Sequence, residues 1–188
     1  MQAAAWRSSL VRRAVPTRGA KALLERREGA VAVEFALVAA PFIALLFALF
    51  QAMSVFFAGR LLDVAVTQTG RQILTGSAQT SNMTASGFAT AFCQNVYALF
   101  NCNNFMINVQ SSASFATANV SAPTLTFDSH GAVTNAWQFS PGNANDIVVV
   151  QVMYQWPVFL GPLGLNLSNL SNGNRLLVST NVFKNEPY

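Results

Sequence analysis

The sequence predicts an α+β protein: a long N-terminal helix, transmembrane and then an amphipathic stem, carrying a small exported head of one helix and an antiparallel sheet. Three observations predict it. Residues 35–57 are apolar except for Gln51 and Ser54. Beyond them Leu61, Leu62, Ala65, Val66, Ile73 and Leu74 recur among Arg60, Asp63, Gln68 and Arg71 at helical spacing. Further on, β-branched and aromatic segments are separated by clusters of Gly, Pro, Asn and Ser.

The apolar run sets the location. As a helix, residues 35–57 span roughly 35 Å at about 1.5 Å per residue, enough to cross a bilayer. A chain of 188 residues has room for one modest core, and a soluble domain of that size rarely contains a helix apolar on every face. Charge gives the direction. Arg7, Arg12, Arg13, Arg18, Lys21, Arg26 and Arg27 precede the run, against Glu25 and Glu28, whereas its far end carries Arg60 with Asp63 close by. The positive-inside rule keeps the N-terminus cytoplasmic and exports everything after Arg60. The net charge of +4 therefore resides in the leader. The remainder lacks the clustered Lys and Arg that phosphate binding requires, so nucleic acid is not an expected partner. A secretory signal also starts basic, but its apolar core runs only about 7–15 residues to a small-x-small site. Here bulky residues flank each candidate alanine in FALFQAMSVFFAG. An organelle transit peptide fits the Arg-rich start and explains neither the glycine nor the acid that follow.

The stretch GAVAVEFALVAAPF, residues 29–42, places a single acid, Glu34, five residues after the glycine that closes the charged leader. A carboxylate in the bilayer is costly unless paired or neutralised. A protease at the cytoplasmic face, cutting between Gly29 and Ala30, would create an α-amine one helical turn from Glu34. The carboxylate would then pair with that amine or with one on an adjacent subunit. The alternative is a first-turn acid interacting with the helix N-terminus at headgroup level.

This pattern resembles the processing site of type IV prepilins, where a membrane aspartyl peptidase cuts after a glycine and the new fifth residue is glutamate. It is most similar to the TadE-like family of pseudopilins, the minor components of Tad (Flp-type, type IVc) pili. They share the Glu-Phe pair and a proline a few residues into the helix, here Glu34, Phe35 and Pro41. The resemblance implies Gly29 and Ala30 as the processing site and Glu34 and Phe35 as assembly residues. It departs at Ala30, where the better-known pilins carry a methylated aromatic.

Pro41 removes one backbone donor and predicts a kink or a loosened turn. The stem is expected to reach about Thr75 and end at Gly76. A polar loop over 77–86 leads to a second helix over 85–100, on which Phe88, Phe92, Val96 and Leu99 recur every three or four residues. FMINVQ, TLTFDS, DIVVVQVMYQW and RLLVSTNVF read as strands, and SPGNAND and SNLSNGN as exposed loops. The expected divisions are a leader over 1–29, a transmembrane helix over 30–58, a stem over 59–76 and a head over 77–188.

Cys93 and Cys102 are the two cysteines. In an exported domain they favour a disulfide tying the second helix to the next strand, with buried thiols as the alternative. Together with His130 they do not fill a four-ligand metal site, and His130 beside Gly131 reads as a hairpin turn. No metal, cofactor or catalytic residue is expected. Asp63, Asp128, Asp146 and Glu186 are scattered singly, and SSASF lacks a base at a telling spacing.

The C-terminal stretches VVVQVMYQWPVF and LLVSTNVFKNEPY are similar to the closing half of TadE-like proteins, a Val-rich strand with an aromatic-Pro step, then a last strand and an Asn-Glu-Pro terminus. Asn185, Glu186 and Pro187 read equally well as a polar chain end. The resemblance implies a minor pilin or pseudopilin serving pilus biogenesis and adhesion, in the bacterial inner membrane with its head periplasmic. Its implied partners are a prepilin peptidase, other Tad pilus subunits, the inner-membrane assembly machinery and the lipid bilayer. Two other readings compete: an uncleaved single-span envelope protein with an adhesive or scaffolding head, and a membrane-tethered periplasmic enzyme.

Overall fold

Helix α1, Arg27–Leu74, opens the described part of the computed structural model, which comprises residues 27–96, 98–159 and 164–188. The expected leader up to residue 26 lies outside it. Contacts divide the chain into two units, Met1–Ala44 and Leu45–Tyr188. The helix continues through Pro41 without ending, although the ring leaves one carbonyl without its usual donor. It is long and apolar enough to cross a membrane. Burial begins inside the apolar run: Val55, Ala58, Leu62, Ala65, Val66, Thr69 and Ile73 are buried, and their spacing of three or four residues puts them on one face.

Gly76 ends the helix in the left-handed region, φ 76°. Its N–H reaches Ile73 O at 3.1 Å, and the Tyr188 ring lies where a Cβ would stand. The 77–86 segment is not wholly a loop, which corrects the expectation. A one-turn helix α2, Ser77–Thr80, forms because the Thr80 and Ser81 hydroxyls bond to the Gly76 and Ser77 carbonyls. Thr84 then caps helix α3, Ala85–Gln94, accepting from the Gly87 N–H at 3.2 Å.

Helix α3 is shorter than the 85–100 expected. Asn95 terminates it: its amide donates to the buried Thr69 hydroxyl of α1 at 3.2 Å, and Asn is a poor helix former. Tighter turns follow, with Val96 N bonded to Cys93 O and Leu99 N to Val96 O. They still bury Val96 and Phe100 but leave Leu99 exposed, unlike the regular spacing expected of it. Cys93 and Cys102 are joined by a disulfide.

Three antiparallel strands form one sheet in the order β1, Met106–Ser112; β2, Ile147–Trp156; β3, Arg175–Lys184. The register aligns Val109 with Val150 and Val150 with Asn181. Alternate residues of β2, Val148, Val150, Val152 and Tyr154, join Val109 and Leu177 in the core with α1 and α3. On the opposite face Asn108 bonds to Gln151 at 3.2 Å, and Gln151 to the Ser121 carbonyl at 2.9 Å. The segment between β1 and β2 therefore covers that face. Residues 147–154 of β2 are all buried, which explains why DIVVVQVMYQW reads as a nearly continuous apolar run.

TLTFDS is not a strand of this sheet. Phe127 forms an isolated bridge with Val133, closed by a turn in which Asp128 Oδ1 accepts the His130 and Ala132 N–H groups at 2.8 Å each. An Asx-type turn competes here with extension into a ladder, and His130 sits in that hairpin turn as its sequence context suggested. The aromatic core centres on Phe100, which meets Tyr154 and Trp156 edge-on at 4.9 and 5.5 Å.

The chain end is a structural clasp rather than a loose polar terminus. Asn185 is buried; its amide donates to the Pro141 and Asn143 carbonyls at 2.9 and 3.0 Å. Glu186 N then bonds to Leu74 O at 2.9 Å, satisfying one of the carbonyls a helix leaves unpaired at its end. At Gly70 a Cβ would sit 3.3 Å from the Phe183 ring, so the absent side chain lets β3 approach α1.

Candidate functional site

The residues singled out from the sequence lie along the first turns of α1. Gly29 and Ala30 are in its opening turn, where the first four backbone N–H groups have no partner within the helix. That turn can open locally without unravelling the hydrogen-bond ladder behind it. A Cβ at Gly29 would meet no atom within 4 Å, so packing within the described chain does not demand the glycine. Glu34 is exposed and stands one turn beyond Ala30, the separation at which helical side chains become neighbours. Phe35 follows, also exposed.

The surrounding surface is apolar on every side. Val31, Val33, Phe35, Leu37, Val38, Phe42, Ile43, Leu45, Leu46 and Phe47 are all exposed large hydrophobics. Water would not tolerate a patch of this size on a monomer; lipid or the helices of other subunits would. Chemically, the segment offers an apolar cylinder with one acid near its start. Among the described residues the one ion pair is Arg60 with Asp63 at 3.7 Å.

Two of the head's acids are engaged in structure. Asp128 closes the hairpin described above, and Asp146 Oδ2 accepts the Asn143 N–H at 2.8 Å. Among the described residues no three of His, Cys, Asp and Glu cluster so as to hold a metal ion. One contact escaped sequence reasoning: Gln51 Nε2 donates to the Phe159 carbonyl at 2.7 Å. Its only sequence signal is an amide inside an apolar run, which shows a need for an acceptor but not where the acceptor is.

The class so defined is a protein whose described residues form one apolar, bilayer-length helix and a disulfide-bonded α+β head. The family model described as TadE-like protein matches residues 29–71. This segment begins at the glycine and takes in Glu34, Phe35, Pro41 and most of the stem, and over it the chain is similar to the TadE-like family. Comparison with curated proteins and with solved structures returned no match.

Proposed function

We propose that the protein is a minor pilin or pseudopilin of a Tad-type pilus, cut after Gly29 by a prepilin peptidase and assembled through its apolar helix with other pilus subunits. The observation that carries this reading is the family match beginning at Gly29 and running along the helix that bears the exposed Glu34. Cleavage would leave Ala30 as the first residue, with a cationic amine one turn from the carboxylate. A buried ammonium and carboxylate are tolerable together and costly apart. Pairing between the Glu34 of an incoming subunit and an amine already in the filament would therefore set the axial position of the new helix. In this reading the N-terminus stays at the cytoplasmic face of the inner membrane, the head is periplasmic, and the assembled subunit serves pilus biogenesis and adhesion. An oxidising compartment on the head side is supported by the Cys93–Cys102 disulfide.

The test is the mature N-terminus. Protein extracted from piliated cells is expected to begin at Ala30 by intact mass, and Gly29→Leu is expected to retain the leader. Native protein that keeps its leader in such cells would instead be the uncleaved envelope protein.

A further inference from the structure

The hydrogen bond between Gln51 and the Phe159 carbonyl, 2.7 Å, ties the head to a defined depth of the apolar helix. An amide among lipid tails without an acceptor is costly, and the Phe159 carbonyl supplies one. Gln51 lies six residues before Phe57, where the run ends, and thus roughly 9 Å inside that end at about 1.5 Å per residue. Phe159 is therefore held level with a helix surface made of Phe50, Met53, Phe56 and Phe57, all exposed. No charged residue intervenes in α1 between Glu34 and Arg60. The Arg60 guanidinium lies over the Phe56 ring, 5.1 Å from its centroid, a cation–π contact that sets the first charge after Glu34 at the end of the apolar run.

Phe159 is 80% exposed, more than any other large hydrophobic among the described residues. It follows Pro157, which directly succeeds β2. A second exposed phenylalanine, Phe115 at 63%, follows β1, whose last residue, Ser112, pairs with Ile147 at the other end of β2. The two are alike in exposure and differ in position, and only Phe159 is placed beside the apolar run.

We propose that Phe159 is a second membrane contact: the chain at Pro157–Phe159, just after β2, enters the outer part of the bilayer that α1 crosses, seating the head on lipid. This rests on the reading of α1 as a membrane span. The occupant is the boundary between acyl chains and headgroups, because Phe159 adjoins α1 at Gln51, within a stretch of the helix that carries no charge and near its outer end, where Arg60 and Arg175 line one cleft with Phe56. Seating would limit rotation of the head about the helix and fix the height at which it is presented before assembly.

The test uses the full chain, one copy per phosphatidylcholine nanodisc, with a nitroxide label on Phe159→Cys, Phe47→Cys or Phe115→Cys. The native disulfide leaves only the introduced thiol to react. Collision of the label with oxygen, which partitions into lipid, is compared with collision with a water-soluble nickel chelate. The oxygen-to-nickel ratio is expected to be at least several-fold higher at 159 than at 115, and to approach that at 47. A ratio at 159 equal to that at 115, with 47 in lipid, would overturn the seating and leave the membrane span standing. A label at 159 shielded from both reagents would mean a protein cover and would also overturn it. Nickel access at 47 would remove the span on which the inference rests.

Discussion

Across its length α1 is built from similar residues, yet its two parts use them in opposite ways. Before Val55 its large hydrophobics face outward without exception among those described; from Val55 to Ile73 a helical stripe of Val, Ala, Leu, Thr and Ile is buried under α3 and the sheet. The difference lies in the opposite faces. Arg60, Asp63, Thr67, Gln68 and Arg71 make the second part amphipathic, so that one face seeks a protein core and the other water. The first part has no polar face and needs an apolar surround on all sides. One helix thus joins an outward-facing apolar segment to a core element, and a change that is severe in one part should be silent in the other for the head's folding.

The largest effect on stability is expected at Leu62, which is fully buried. Leu62→Ala should destabilise the head by about 2–5 kcal/mol, the loss of transfer free energy plus a cavity term. Leu37→Ala, at a 72% exposed position, should leave the head unchanged within about 0.5 kcal/mol. Denaturant unfolding of the two variants, reconstituted in the same nanodiscs and followed by tryptophan fluorescence, checks both. Equal midpoints would mean that the two parts of the helix are not energetically distinct.

The disulfide contributes less, and only to the second unit. Closing a loop between positions nine apart, Cys93 and Cys102, is worth about 2–3 kcal/mol by the chain-entropy model. The double Ser variant should therefore unfold at lower denaturant, with insertion of α1 unaffected. Intact-mass analysis of unreduced protein treated with an alkylating reagent should find neither thiol modified.

The extent to which this division was legible follows from how local each signal is. The apolar run, the stem's periodicity, the three sheet strands and the end at Gly76 depend on composition and spacing within one segment, and each appears in the fold. The misjudged elements depend on partners far along the chain. Helix α3 stops at Asn95 because Thr69 of α1 accepts its amide, and no periodicity within 85–100 carries that information. TLTFDS has strand composition, but Asp128 turns it back on itself before it can join a sheet. The Asn185 clasp was hidden for the same reason: its acceptors at Pro141 and Asn143 are more than 40 positions away. For the candidate site, Gly29, Ala30, Glu34 and Phe35 lie within seven consecutive residues, so their positions on the helix followed once the helix was recognised. Phe159 was not legible, since its role depends on the fold that brings it to Gln51.

The smallest effect on folding is expected at Glu34, and there the two parts of the helix separate most sharply. Glu34→Gln removes an exposed charge far in sequence from the buried stripe, so the head's unfolding midpoint should not move. Membrane insertion should persist, since an amide enters the interface more readily than a carboxylate. Cleavage after Gly29 should also persist, because the peptide bond cut lies a full turn away. Assembly should fail nonetheless: Gln can bond to an ammonium but cannot supply the charge that compensates it when buried. Glu34→Asp, with a shorter reach, should assemble in part. Surface pili are counted alongside a blot for processed subunit in the same cells. If Glu34 only favours the helix N-terminus, its replacement costs about 1 kcal/mol or less and piliation stays near wild type. Normal pili with the Gln variant would thus remove the docking role and leave the anchor and the head as described.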